Sequence, residues 1–218
     1  MIYSPQRQYL FIHIPKTGGT SMAMALEARA ARDDVLVGDT PKAKRRKARL
    51  KKIRTRGRLW KHSTLADLDG LVEPDELQRL FVFTMVRNPW DRMVSYYHWL
   101  QDQDFDHPAV GLSKQLDFSG FLHHDMIKTS IRQNPYGSYM RMSPDGAERC
   151  DLFIRLENLA EDLLRLQAHL GFDIDLPVSN ASRRQKDYRS YYSDENAEVI
   201  SMLCAEDIAR FSYSFDGP

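Results

Sequence analysis

The stretch from Tyr9 to Ala31 reads YLFIHIPKTGGTSMAMALEARAA, and the rest of the chain is organised around it. The apolar run Tyr9 to Ile14 is rich in aromatic and β-branched residues and predicts a strand. Pro15-Lys16-Thr17-Gly18-Gly19-Thr20-Ser21 is a polar turn, and the alanine-, leucine- and methionine-rich segment after it predicts a helix ending near Arg32 to Asp34. Strand, glycine turn with a lysine, then helix is an order that builds an anion cradle. The glycines let backbone approach an anion without an intervening Cβ. The first N–H groups of the helix point at that anion, and the helix dipole favours its charge. Thr17, Thr20 and Ser21 add hydroxyls, and Lys16 adds a mobile point charge. In the nucleotide-triphosphate loop GxxxxGK[ST] the lysine follows the second glycine, whereas Lys16 precedes both. The turn therefore predicts a phosphate- or sulfate-bearing ligand, with a nucleotide triphosphate not the first expectation.

The pattern returns further on. Phe81 to Val86 is apolar almost throughout, as a strand buried on both faces would be. Arg87-Asn88-Pro89 ends it, with Asn88 placed to cap and Pro89 to start a helix through Leu100. Asp151 to Leu156 predicts a third strand. Glu157 to Leu170 predicts an amphipathic helix with Leu159, Leu163, Leu166 and Leu170 on one stripe, stopped by Gly171. Val35 to Val37 reads as a short strand or link. Helical turns are expected after Ser63 or Thr64 and at Pro74, and Ser193 caps a last helix through Arg210. Strands alternating with helices predict an α/β fold: a central parallel sheet with helices on both faces, P-loop-like, binding ligands at the carboxyl ends of its strands.

The chain has 218 residues, which suits a single domain spanning 1–218. The irregular stretch 101–148 reads as a loop-rich insertion with one short helix, Leu116 to Lys128, and is the expected place for substrate specificity. The net charge of +1 hides an asymmetry: Lys42 to Lys61 reads KAKRRKARLKKIRTRGRLWK, without a single acid. The basic segment 41–61 could be a solvated helix face or a docking surface for an anionic polymer. Single-stranded nucleic acid would call for interleaved aromatics, and only Trp60 is present, so no nucleic-acid partner is expected. Cys150 and Cys204 are the only cysteines, and no metal-ligand spacing appears. With no apolar run of spanning length and no leader, the expectation is a cytoplasmic protein without a membrane span, its association with a surface left open.

Two further residues sharpen the anion reading. Arg87, directly after a strand, can fork onto a phosphate with Ser95 assisting, although it could equally pair with Asp91. His62 lies between two predicted strands and is a candidate base, though a lone histidine is more often structural.

FIHIPKTGGTS followed by FTMVRNPWDRMVSYY resembles the sulfotransferases that use 3′-phosphoadenosine 5′-phosphosulfate (PAPS). The branch most resembled holds the heparan-sulfate 2-O-sulfotransferases and bacterial carbohydrate sulfotransferases. KHSTLADL, FIRLENLAEDL and the tail from Leu176 extend the resemblance over most of the chain. It implies that Lys16, Thr17, Gly18, Gly19, Thr20 and Ser21 hold the 5′-phosphosulfate, and that Arg87 and Ser95 hold the 3′-phosphate. It also implies that His62 is the base and that Arg183 and Lys186 belong to a segment, Asn180 to Lys186, closing over the nucleotide. The implied reaction moves a sulfuryl group from PAPS to a hydroxyl of a glycan or glycolipid, leaving 3′-phosphoadenosine 5′-phosphate (PAP), with no metal. A P-loop-type kinase and a non-enzymatic polyanion-binding module are the alternatives that the residues themselves allow.

Overall fold

A computed structural model describes residues 1–143, 145–177 and 184–217. In chain order its elements are β1 Ile2–Ser4, β2 Tyr9–Ile12, α1 Gly19–Ala28, β3 Val35–Leu36, α2 Pro41–Leu50, α3 Pro74–Arg79, β4 Phe81–Val86 and α4 Pro89–Gln101. They continue with α5 Pro108–Gln115, α6 Phe118–His123, α7 Asp125–Gln133, β5 Leu152–Arg155, α8 Leu159–Leu170, α9 Asp194–Leu203 and α10 Ala205–Phe211. The chain forms two compact units, Met1–Val86 with Tyr136–Ser179, and Arg87–Pro135 with Asn180–Pro218.

The first unit holds a five-stranded sheet in the order β3-β1-β2-β4-β5. The expected parallel core is present: β2, β4 and β5 run parallel, with Phe11 beside Phe83 and Thr84 beside Phe153. To this core the chain adds an antiparallel side, in which β1 pairs with both β2 and β3. Ile2–Ser4, ahead of the first strand that the sequence predicts, thus forms a strand of its own, fully buried. Phe11 and Phe83 stack at 5.2 Å and join Met22 and Leu26 of α1 and Leu163 and Leu166 of α8 in one apolar core. Leu10, Ile12 and Val82, alternating with these along the strands, have no exposure either, so both faces of the sheet are covered. Burying these side chains stabilises the unit by roughly 1.5–3 kcal/mol each.

α1 stops at Ala28, earlier than the sequence predicts. The turn after it is tied down by cations of α2. Lys42 donates to the Glu27 carbonyl, Arg46 to that of Ala31 at 2.7 Å, and Arg49 to that of Arg32 at 2.6 Å. Cations belong at the negative end of a helix, so part of the basic segment has a structural duty.

In the second unit, α4 carries the cap predicted for it. The Asn88 side chain accepts from the Trp90 N–H at 3.1 Å and donates to the Ser214 carbonyl at 2.9 Å. Tyr97, Phe118 and Phe121 pack ring against ring beside it. The stretch 101–148 is more helical than its composition suggests: α5, α6 and α7 occupy it, and the single helix expected over Leu116 to Lys128 is two, separated at His124. Asp117 caps the first and His124 the second. The terminal helix starts at its Ser193 cap as expected but breaks at Cys204 into α9 and α10.

Candidate active site

The turn between β2 and α1 has the backbone that an anion cradle needs. Gly18 is the N-cap of α1 at φ 87°, in the left-handed region that favours glycine. Lys16 also has a positive φ, 66°, which is uncommon for a residue with a side chain and marks a turn held by its surroundings. Part of that hold comes from Thr17, whose buried hydroxyl donates to the Ile14 carbonyl at 2.9 Å. Thr17 therefore departs from the expectation that its hydroxyl faces the ligand: the side chain shapes the turn, and the main-chain N–H is what the residue can offer an anion. Gly19 and Thr20 open the helix, where N–H groups lack an intrahelical acceptor. Met22 follows with Ser21 in the first turn, which holds no acid.

Gly19 is held to glycine by a neighbour. A Cβ there would lie 2.2 Å from Cδ2 of His13, so the imidazole of His13 sits against the turn. The same residue reaches the candidate base. Nδ1 of His62 lies 2.7 Å from the His13 carbonyl oxygen. Since a carbonyl can only accept, Nδ1 carries the proton and Nε2 the lone pair. The two rings meet edge to face at 4.6 Å. His13 thus links the turn and His62 within one unit, a role that no local signal in the sequence announces.

Burial pushes the His62 imidazole down to about 3, against an upward pull from its bond to the His13 carbonyl, with the Lys61 charge adding to the depression. Burial also holds His13 well below its ordinary value. Both rings are neutral near pH 7, as a base must be to accept a proton. Because the folded values are depressed, the unfolded chain takes up protons first as pH falls. For His62 the stability that depends on the neutral ring is therefore complete above the unfolded value of 6.5 and is lost as pH drops toward 3. The slope is up to about 1.4 kcal/mol per pH unit per histidine. Denaturant melts between pH 7 and pH 4 should show the wild type losing stability more steeply than His62→Gln; equal slopes would mean that His62 titrates normally in the folded protein.

In the second unit Arg87 takes the alternative that its sequence left open. It donates to Oδ2 of Asp91 from Nε at 2.8 Å and from Nη2 at 2.5 Å. The other carboxylate oxygen of Asp91 accepts from Nη2 of Arg184 at 2.5 Å. Nη1 of Arg184 is buried with no hydrogen-bond partner among the described residues. Such an atom is costly unless something meets it. Arg87, Asp91 and Ser95 follow one another at four-residue spacing at the start and along the face of α4, and Ser95 is buried. One carboxylate thereby orients two guanidinium groups. Of the residues that the resemblance assigns to a closing segment, Arg183 lies outside the described residues. Lys186 is exposed, whereas Arg184, not singled out from the sequence, is largely enclosed, its side chain 10% exposed.

Among the described residues no group of three His, Cys, Asp or Glu side chains is placed to hold a metal ion. No described helix is long and apolar enough to cross a membrane.

No curated protein matches the chain. Among solved structures, the mouse sulfotransferase SULT7A1 complexed with PAP aligns over 93% of this chain and 84% of its own, at 18% identity and a TM-score of 0.48. A family profile described as the sulfotransferase family matches residues 1–214. With nearly every residue inside that match, including the glycine turn, His62, Arg87 and Ser95, the chain belongs to the sulfotransferase family.

Proposed function

We propose that the protein transfers the sulfuryl group of PAPS to a hydroxyl of a saccharide, acting in the cytoplasm. The observation that carries this is the link through His13: the anion-binding turn and a neutral imidazole with its lone pair on Nε2 are held by one residue. The turn takes the 5′-phosphosulfate, with main-chain N–H groups of Gly18, Gly19 and Thr20 and the hydroxyls of Thr20 and Ser21 as donors. Arg87 and Ser95 take the 3′-phosphate, Arg87 exchanging its bond to Asp91 for a bidentate grip on the phosphate. Lys186 and Arg183 belong to the closing segment.

The chemistry is an in-line displacement at sulfur, close kin to phosphoryl transfer and catalysed by positioning and electrostatics. The acceptor oxygen attacks sulfur, and its new O–S bond forms as the bond from sulfur to the bridging phosphate oxygen breaks. The acceptor proton passes to Nε2 of His62. The electron pair leaves on the phosphate oxygen of PAP, where Lys16 neutralises the growing charge.

The test is radiolabelled transfer from PAPS to panels of glycans, glycolipids and small alcohols, beside thermal shift with PAP against ATP and Mg²⁺. Label in a saccharide and a shift with PAP alone support the reading, while a shift only with ATP and Mg²⁺ points to a kinase. Arg87→Ala should weaken PAP by roughly ten- to a hundredfold, the range for truncating a charged hydrogen bond. It should leave adenosine 5′-phosphosulfate, which lacks the 3′-phosphate, nearly unaffected. Calorimetry showing equal losses for both ligands removes Arg87 from the 3′ site.

A further inference from the structure

His62 stands at the end of the basic segment, and the residues just before it are built in a way that its catalytic role does not require. Trp60 is 41% exposed, one of few large apolar side chains left in solvent among the described residues. Its main chain is nonetheless pinned. The Trp60 N–H donates to Oγ of Ser63 at 2.9 Å, and the Ser63 N–H donates back to the Trp60 carbonyl at 3.1 Å. Ser63 itself is fully buried, and its hydroxyl reaches the carbonyls of Arg58 at 2.8 Å and Trp60 at 2.9 Å. Upstream, the N–H groups of Arg56 and Gly57 donate to the carbonyls of Asp69 and Asp67 at 2.9 and 3.2 Å. A Cβ on Gly57 would lie 2.0 Å from Asp67 Oδ1, so this approach admits only glycine.

This pinned strip sets three side chains in a row. The Trp60 ring lies 5.1 Å from that of His62 at 86°, and the Arg58 guanidinium lies over the Trp60 ring at 5.6 Å. Lys44, Arg45, Lys47, Arg54 and Arg56 are exposed on the same segment, while Lys42 and Arg46 are spent on the α1 turn. Ordering a large aromatic ring in water is unfavourable by itself. A Trp on a pinned main chain, with a cation on one side and the candidate base on the other, is instead an anchor for a ligand with an apolar face, an anionic group and a hydroxyl. A sugar ring carrying a carboxylate or sulfate has all three. Single-stranded nucleic acid would call for successive aromatic platforms, and the segment supplies one.

We propose that Trp60 and Arg58 form the acceptor subsite: Trp60 packs against the face of an acidic pyranose, Arg58 pairs with its charged group, and the ring hydroxyl reaches Nε2 of His62. The subsite rests on the saccharide reading above and names residues for it.

The test uses an oligosaccharide of alternating glucuronate and N-acetylglucosamine, and the same oligosaccharide with its carboxyl groups reduced. KM for each in transfer from PAPS is measured on the wild type, Trp60→Ala, Trp60→Phe and Arg58→Ala, with PAP affinity followed by calorimetry. Trp60→Ala should raise KM for both about tenfold or more, and Trp60→Phe should retain most of the affinity. Arg58→Ala should raise KM for the carboxylated form only, with an effect that fades at high salt. PAP affinity should stay within about twofold of wild type in all three variants. Unchanged KM values in Trp60→Ala overturn the subsite, as does Trp60-dependent competition by oligo(dT), which would assign the strip to nucleic acid. Binding of the oligosaccharide followed by tryptophan fluorescence without nucleotide separates this inference from the reading beneath it. Trp60-dependent binding by a protein with no affinity for PAP upholds the subsite and rejects the donor.

Discussion

Lys16→Ala should lower kcat by roughly a hundred- to a thousandfold, the range for removing one donor aimed at developing charge, while weakening PAP far less. The reason lies in when the charge appears. PAPS in the ground state spreads its negative charge over phosphate and sulfuryl oxygens, which in the proposed binding mode several N–H groups of the turn share. As the bond to sulfur breaks, charge concentrates on the bridging oxygen, and an ammonium on a flexible stem can follow it there. Lys16 is held at φ 66°, a conformation that the turn maintains against its intrinsic cost. Removing only the side chain leaves the helix N-terminus of α1 and its glycines in place, so binding should survive. Single-turnover kinetics beside PAP calorimetry separates the two quantities. Equal losses in kcat and in PAP affinity would make Lys16 an ordinary binding residue without a special part in the transition state.

His62→Ala should cost roughly a hundred- to ten-thousandfold in kcat, the usual worth of a positioned general base, and should leave PAP affinity intact. Its bond to the His13 carbonyl fixes the tautomer, so the lone pair is already on Nε2 before the acceptor arrives. Burial keeps the ring neutral down to about pH 3. The acid limb of the kcat/KM profile, which reports the free enzyme, should therefore lie below the 6.5 of an ordinary histidine. The depressed value also weakens the base, so proton transfer becomes favourable only as the acceptor oxygen bonds to sulfur and acidifies. A fully active His62→Ala protein would reduce the ring to a packing element beside His13 and Trp60.

Much of this arrangement is written locally. β2, the glycine turn and α1, and again β4, the Asn88 cap and α4, are strand-turn-helix passages whose signals lie within a few residues of one another. What lay beyond reach depends on partners distant in the chain. β1 is three residues long, and its burial comes from pairing with β2 and β3. In α5, Gly111 and Ser113 dilute the helical signal. His13 looks like one more strand residue until the fold sets its ring against Gly19 and its carbonyl against His62, forty-nine positions away. Arg183, Arg184 and Lys186 are near neighbours of like charge in the sequence, and the ion pair from Arg184 to Asp91, ninety-three positions back, is invisible there. Thr17 shows the converse limit: its type suits an anion site, yet its hydroxyl is already committed to the Ile14 carbonyl.

The most direct measurement is the transfer of radiolabel from PAPS to saccharide acceptors by the wild-type protein, with Lys16→Ala and His62→Ala alongside at saturating donor. The account predicts label on a saccharide hydroxyl, formed with one PAP per sulfate and reduced at least a hundredfold in either variant. Release of label into the saccharide at wild-type rates by both variants, or no label in any saccharide from a protein that binds PAPS, would contradict it.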